Sequence, residues 1–350
     1  MERILITGAN GFLGSHLTDF CIEKDNRVYI VERPGQTYKN LSQYTNDKLN
    51  FELKDKLQIF SEKIEIPTNN NKLRIFECNI KKSQLLEKII AEIKPRFIFH
   101  FGAQPLVIPS WKDPVNTIET NVIGTINVFE AIKKHKINSR VIVACTSAEY
   151  GTTTTLNRPL KESDPLLAIH PYGISKVAAE LLARQYFINF GIEVINLRFF
   201  NQTGPRRRGD ATSDFIKKVA QIELGLSEPV IEVGNLEPYR DFTGIKDSIK
   251  AIWLAATKGI PGETYNVCSN QKLQIRKILD IALSFSSIKI KVKENVKHKL
   301  RRTDEDVILG DNTKIKTELG WVPSTPIEET FKDMFFYWLD YYKKYGLEDH

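Results

Sequence analysis

Arg3-Ile-Leu-Ile-Thr-Gly-Ala-Asn-Gly-Phe-Leu-Gly14 decides how this chain folds. An apolar run, Ile4-Leu5-Ile6, has the character of a strand buried on both faces. It passes directly into glycines spaced G-x-x-G-x-x-G, and an amphipathic helix starts at Phe12. Glycines at 8, 11 and 14 permit a tight turn, close backbone approach to a pyrophosphate, and close packing of helix on strand. The helix start then offers free N–H groups and a positive dipole end to phosphates. The same spacing also fits a purely structural turn. Its place between the first strand and the first helix favours a dinucleotide loop built from Gly8, Asn10, Gly11, Phe12, Leu13 and Gly14.

Working outward, strands alternate with helices. Strands are expected at Arg3–Thr7, Arg27–Val31, Leu73–Glu77, Arg96–Phe101, Arg140–Ala144 and Glu193–Leu197. Helices are expected at Phe12–Lys24, Ser83–Ile93, Asn116–Lys136 and Tyr172–Phe190. That rhythm predicts an α/β fold with a parallel sheet covered on both faces. The polar stretch 34–72 interrupts it and reads as a surface excursion with a short helix over Lys48–Phe60. Beyond Asn201 the texture changes to short strands (Val230–Val233, Thr264–Val267, Ile288–Val292) among helices at Ser213–Leu224, Lys246–Lys258, Ile275–Ser284 and Ile327–Tyr345. The expected division is therefore 1–200 for dinucleotide binding and 201–350 for a smaller α/β lobe, with the chain free to cross back.

The second strand ends in Glu32-Arg33. A carboxylate there accepts from a ribose 2′-OH and repels a 2′-phosphate, which favours NAD, while Arg33 could offset it and admit NADP. Asn79, followed by Ile80, ends the third strand near the expected adenine edge. It suits either a base contact or a strand-end turn. Phe101-Gly102-Ala103 supplies small residues where backbone passes the cofactor.

Tyr172 and Lys176 stand four apart on one helix face. A free phenol is a poor base at neutral pH, and a cation beside it favours the phenolate. The pair suits proton transfer at a hydroxyl. Beside a dinucleotide, that is alcohol–carbonyl redox chemistry. A hydroxyl from Thr146 or Ser147, at the carboxyl end of the fifth strand, would hold the reacting oxygen.

With 350 residues and a formal net charge of +7, the chain can bury a sizeable core, and its basic residues are interleaved with acids. Steering of an anionic small substrate accounts for the excess, and no nucleic-acid partner is expected. No apolar run approaches the ~20 residues that span a bilayer, and the N-terminal residues lack a leader pattern, so a cytoplasmic protein without a membrane partner is expected. Four scattered cysteines and six unclustered histidines give neither a disulfide framework nor a metal site.

The glycine loop, Thr146 and Y-x-x-x-K together resemble the extended short-chain dehydrogenase/reductase superfamily. Arg198-Phe-Phe-Asn-Gln-Thr-Gly-Pro205 and Leu319-Gly-Trp-Val-Pro323 resemble its nucleotide-sugar branch, and the likeness runs the length of the chain. It implies a Rossmann-type doubly wound sheet with a smaller C-terminal substrate-binding lobe. It also implies Thr146 as the active-site hydroxyl when Tyr150-Gly151 is the anchor, with Ser147 the second choice, Tyr172 as proton donor and acceptor, Lys176 as the group that lowers its pKa and holds the nicotinamide ribose, and a homodimer or homotetramer. Many members pair through the helices matching Asn116–Lys136 and Tyr172–Phe190.

Gly225-Leu-Ser-Glu-Pro and Val233-Gly-Asn-Leu-Glu-Pro-Tyr-Arg-Asp241 resemble both GDP-mannose 4,6-dehydratases and GDP-4-keto-6-deoxymannose reductases. By that likeness a nucleoside diphosphate sugar, GDP-linked, would meet Asn201, Arg206, Val233, Asn235, Arg240 and Arg301, the arginines pairing with phosphate oxygens. A solvated charge run at Arg206–Arg208 and a surface salt bridge at Arg240 are the plain alternatives.

Departures from the pattern separate the possible reactions. Elimination at C6 needs a carboxylate base within reach of C5. Dehydratases carry it two residues after the threonine, where this chain has Ala148. Glu149 lies one residue further on. In an extended segment it would aim to the opposite face, whereas a turn could re-aim it. Asn79 and Gly244 replace common aspartates. The expected activity is NAD(P)-dependent oxidoreduction or epimerisation at C4 of a GDP-linked hexose or heptose. The alternative is a 4,6-dehydratase using Glu149 or another base. A non-catalytic dinucleotide-binding or RNA-associated relative is a remote third, disfavoured by the intact Thr146, Tyr172 and Lys176.

Overall fold

A computed structural model describes residues 1–45, 64–156, 158–297 and 306–347. The expected helix over Lys48–Phe60 and the expected phosphate contact at Arg301 lie outside the described residues.

Two compact units are present. The first comprises Met1–Thr152, Asp164–Arg198 and Ala251–Tyr265. The second comprises Thr153–Ser163, Phe199–Lys250 and Asn266–His350.

The first unit is built on strands β1 (Arg3–Thr7), β2 (Arg27–Glu32), β3 (Ile64–Ile66), β4 (Leu73–Glu77), β5 (Phe97–His100), β6 (Arg140–Thr146) and β7 (Glu193–Phe199), with β11 (Thr264–Val267) at one edge. The sheet order is β11-β7-β6-β5-β1-β2-β4-β3. β1 pairs in parallel with β2 and β5, β2 with β4, and β5 with β6, whereas β3 is an antiparallel edge on β4. Setting β3 aside, the order reverses at β1, the switch point beyond which ligands bind in doubly wound sheets. One face is covered by the helices Ser83–Ile93, Gly124–Lys134 and Pro171–Phe190, which bury Leu86, Ile89, Val128, Phe129, Ala183 and Tyr186 against it. On the other, Phe20 of the Phe12–Glu23 helix meets Trp253, whose ring in turn contacts Phe97.

The expected single helix over Asn116–Lys136 is not continuous. Pro114–Ile118 runs into a π-helical turn at Glu119–Ile123 before Gly124–Lys134 resumes. The wider turn buries Asn121, a polar residue that an unbroken apolar face would not carry. The excursion after Pro34 is partly docked. Tyr38 and Leu41 are buried, and Asn40 Nδ2 donates to Asn10 O at 2.8 Å.

In the second unit β10 (Tyr239–Gly244) is central. It pairs in parallel with β8 (Asn201–Thr203) and β14 (Val307–Ile308), and antiparallel with β12 (Lys272–Gln274). β9 (Val230–Glu232) pairs with β13 (Lys291–Lys293), so the strand expected at Ile288–Val292 begins three residues later. The helices Ala211–Glu223, Ile275–Leu283 and Ile327–Tyr345 pack a separate core of Ile216, Val219, Ile278, Phe331, Met334 and Trp338.

Candidate active site

The glycine loop turns sharply over the end of β1. Gly8 has φ +72°, and a Cβ there would fall 2.7 Å from Gly102 N and 2.8 Å from Phe101 O. A Cβ on Gly14 would meet Gly8 O at 2.4 Å. These two glycines are therefore required by packing of loop on strand and helix on loop. Gly11 is exposed and caps the helix without a side-chain hydrogen bond, and the first turn holds no acidic residue. The N–H groups at Phe12 and Leu13 thus face no competing carboxylate from their own turn. Asn10 N donates to Glu32 Oε1 at 2.7 Å, Asn10 Nδ2 donates to Thr37 O at 2.7 Å, and Asn10 Oδ1 is buried with no hydrogen-bond partner among the described residues. An uncapped helix start, a loop with no room for a Cβ at two positions and an orphaned amide oxygen fit a bound dinucleotide.

Glu32 is buried, and desolvation pushes its pKa up to about 7 despite the Asn10 N–H. Arg33 beside it is exposed. Tyr38 donates to Glu77 Oε1 at 3.1 Å, so a second buried carboxyl lies at the end of β4. Asn79 uses its side-chain oxygen to accept from Lys81 N at 3.0 Å, the geometry of a strand-end turn. Ile80 packs beneath Gly124, where a Cβ would fall 2.7 Å from Ile80 Cδ1. Phe101, Gly102 and Ala103 are half-buried after β5.

β6 ends in a 3₁₀ turn, Ser147–Glu149, capped by Thr146. Thr146 Oγ1 accepts from Ala148 N at 3.3 Å, and Thr146 N donates to Glu149 Oε1 at 2.8 Å. Thr146 Oγ1 therefore keeps its own hydrogen to donate. The turn does re-aim Glu149, but inward. Its carboxyl is fully buried, 3.8 Å from Arg198 Nε, in a cluster with Cys145 and Glu180. Burial, then the neighbouring Glu180, hold Glu149 well above the carboxylate range. Burial alone would raise Glu180 too, but a bidentate pair with Arg198 at 2.5 and 2.9 Å holds it below its ordinary value.

The Pro171–Phe190 helix begins directly over this turn. His170 caps it, its Nδ1 accepting from Gly173 N at 2.9 Å, and its ring lies parallel to that of Tyr172 with centroids 6.0 Å apart. A Cβ on Gly173 would sit 2.7 Å from Ala148 O. That contact brings the Tyr172 turn against the Thr146 turn. Lys176 is buried and donates to Ala144 O at 2.7 Å, and burial lowers its pKa. Gly173 and the buried Asn121 escaped the sequence reading. A glycine inside a helix and a buried asparagine are signals of close approach and of a polar tether, but neither announces its partner.

In the second unit Arg240 is buried on β10, its Nη1 donating to Tyr239 O at 2.9 Å. Asn201 Nδ2 donates to Asp241 O at 3.1 Å. Val233 is a core residue whose N–H and C=O bond to Lys293 and Val296, while exposed Asn235 accepts from Glu237 N at 3.0 Å. Arg206 takes a left-handed conformation at φ +68°. Its neighbours are not a solvated run: Arg207 pairs with Asp210 at 2.5 Å, and the Arg208 guanidinium lies 4.8 Å from the Trp338 ring centre.

The sequence profile described as GDP-mannose 4,6 dehydratase matches residues 5–334. The chain belongs to that family. The GDP-6-deoxy-D-mannose reductase of Pseudomonas aeruginosa is 26% identical over 245 residues, covering 70% of this chain and 80% of the relative. The human GDP-mannose 4,6 dehydratase is 28% identical, covering 94% of this chain and 89% of that one. Among solved structures, the Pseudomonas aeruginosa protein RMD complexed with NADPH superposes with a TM-score of 0.78 at 22% identity, over 97% of this chain and 100% of that one, which shows the shared fold.

Proposed function

We propose that the protein is a nicotinamide-dependent oxidoreductase acting at C4 of a GDP-linked sugar, without elimination at C6. The Thr146–Gly151 turn carries this reading. Ala148 stands where a dehydratase needs its base, and Glu149 is buried, bonded to the Thr146 backbone and surrounded by Glu180 and Arg198. A group so placed positions the threonine rather than reaching a sugar carbon.

A nicotinamide dinucleotide held on the Gly8–Gly14 loop would supply the acceptor and donor of hydride at C4. Thr146 would donate to the sugar O4, and Tyr172 would take and return its proton. Lys176, anchored on Ala144 O, keeps two further N–H donors and a charge that favours the phenolate. The buried carboxyls of Glu32 and Glu77 disfavour a 2′-phosphate, so NAD is the preferred cofactor. Recognition of the GDP diphosphate by Arg240, Asn201 and Arg206 rests on the family pattern.

The test supplies GDP-linked 4-keto and 4-hydroxy sugars with NAD(H) and NADP(H), following nicotinamide absorbance and product mass. Transfer of one hydrogen pair without loss of water is expected, and Tyr172→Phe should slow it by about 10²-fold or more. Full turnover by Tyr172→Phe would sink the mechanism.

The dehydratase reading keeps one support, the profile and relatives of that name, and it needs Glu149 or another carboxylate as base. Glu149→Gln separates the two. The amide still accepts from Thr146 N, so C4 turnover should persist. Efficient water loss from GDP-mannose that vanishes in Glu149→Gln would establish elimination instead.

A further inference from the structure

His100, the last residue of β5, is buried in the first unit, and the chemistry above gives it no role. Its Nδ1 lies 2.9 Å from Thr7 Oγ1 and its Nε2 lies 3.0 Å from Thr125 Oγ1. The neighbour of Thr125 fixes the direction of the bond at Nε2, and a neutral ring then fixes the one at Nδ1. Thr125 Oγ1 lies 2.6 Å from Asn121 O, and a carbonyl cannot donate, so the Thr125 hydrogen goes there. Thr125 must then accept from His100 Nε2–H. A neutral imidazole so protonated leaves Nδ1 as acceptor, and it takes the Thr7 hydrogen, while Thr7 Oγ1 accepts from Gly102 N at 3.0 Å. Burial, then the Lys176 charge, lower the His100 pKa to about 3, consistent with the neutral ring.

Beyond Thr125 the string continues through Asn121. Asn121 Oδ1 accepts from Gln104 N at 2.7 Å, and Asn121 Nδ2 donates to Gln104 O at 3.0 Å and to Ser175 Oγ at 2.9 Å. Ser175 Oγ donates to Tyr172 O at 2.6 Å. The π-helical turn is what presents Asn121 here, with its carbonyl to Thr125 and its amide to the Tyr172 helix.

We propose that His100, as its Nε2–H tautomer, is a positioning residue: with Thr7, Thr125, Asn121 and Ser175 it forms one continuous hydrogen-bonded string that fixes the Phe101–Gln104 loop against the first turn of the Tyr172 helix. The loop is clamped by Thr7 at Gly102 and by Asn121 at Gln104, so its place beside the dinucleotide depends on the same groups that hold the Tyr172 backbone. This inference rests on the reading of that loop and helix as the cofactor and proton-transfer sites.

The string has a spectroscopic test and an energetic one. Nitrogen-15 NMR of the cofactor-free protein at neutral pH should show His100 protonated at Nε2 and bare at Nδ1. A proton on Nδ1, or on both nitrogens, overturns the proposal. Dinucleotide affinity, by direct titration, is then measured for Thr125→Val, Ser175→Ala and the double variant. Each single change should weaken binding by about tenfold, the order expected for one buried hydrogen bond. The double variant should lose scarcely more, because both changes cut one string. Thr125→Ser, which keeps the hydroxyl, should restore affinity. Losses that add, or no loss, overturn the string. If the unaltered protein bound dinucleotide but left every GDP-sugar untouched, the C4 reading would fail, while tautomer and affinity cycle would still decide the string.

Discussion

Glu32 shows how one side chain can serve the loop and cost the fold. Its carboxyl is buried and accepts the Asn10 N–H, yet desolvation lifts its pKa to about 7 from an ordinary value of 4.5. The folded state therefore binds the proton more tightly than the unfolded chain. Stability falls as pH rises from about 4.5 to about 7, and by linkage the loss is at most on the order of 3 kcal/mol. Glu32→Gln keeps an acceptor for Asn10 without the charge. Thermal melts should show the variant gaining on the parent at pH 8 and matching it near pH 4.5; a gap that does not change with pH would refute the buried-charge account. Gly244 is the other instructive position, since the family pattern puts an aspartate there. A Cβ at Gly244 would fall 2.4 Å from Thr330 Oγ1, and Thr330 is itself buried. The threonine has taken the space. Gly244→Ala should cost about 1–3 kcal/mol by overpacking, and adding Thr330→Ala should recover much of it in denaturant titrations. Equal losses with and without Thr330→Ala would sink the pairing.

At the level of elements, the legible parts are those whose signal is local. β1, β4, the Ser83–Ile93 helix and the Ile327–Tyr345 helix fall on their expected residues, because apolar period and end signals agree within each segment. β10 was unreadable. Arg240 and Asp241 look like surface residues, but Asp241 is buried by accepting from Ser269 N, Ser269 Oγ, Asn270 N and Gly310 N, partners distant in sequence. The site divides the same way. The glycine loop and Tyr172–Lys176 carry their chemistry in spacing, whereas the inward turn of Glu149 and the His100 string depend on groups dozens of residues apart. The Leu319–Pro323 motif has a similar explanation. Trp321 Nε1 donates to Asp247 O at 2.9 Å, and Asp247 Oδ2 accepts from Ser324 N and Thr325 N at 3.0 and 2.7 Å. The motif thus anchors the run into the last helix through one buried carboxylate. Asp247→Ala strands those N–H groups and should cost about 2–4 kcal/mol in denaturant unfolding. A loss under about 1 kcal/mol would show the anchor to be dispensable.

For the whole molecule, the informative surface lies on the first unit. Among the described residues no helix is long and apolar enough to cross a membrane. Yet Ile108, Trp111 and Val115 are 66%, 61% and 66% exposed, and Ile118, Ile123, Ile174, Leu181 and Ile188 are exposed as well. They lie on the run from Val107 to the π-helical turn and on the Pro171–Phe190 helix, elements that pack on each other. Large apolar groups on adjoining helices are thus left to water, the kind of surface that marks an interaction site when contiguous. The resemblance implies that a second copy of this chain pairs through these helices, and a two-fold axis would let one apolar face cover its own counterpart. Such pairing would also brace the Tyr172 helix from outside, on the side away from the sheet. Light scattering at micromolar concentration should therefore give a dimer or a multiple of it. Trp111→Glu combined with Ile188→Glu should give a monomer that keeps its fold by circular dichroism and loses turnover. A parent protein that is monomeric at that concentration, or a double variant that still dimerises, would place the contact elsewhere.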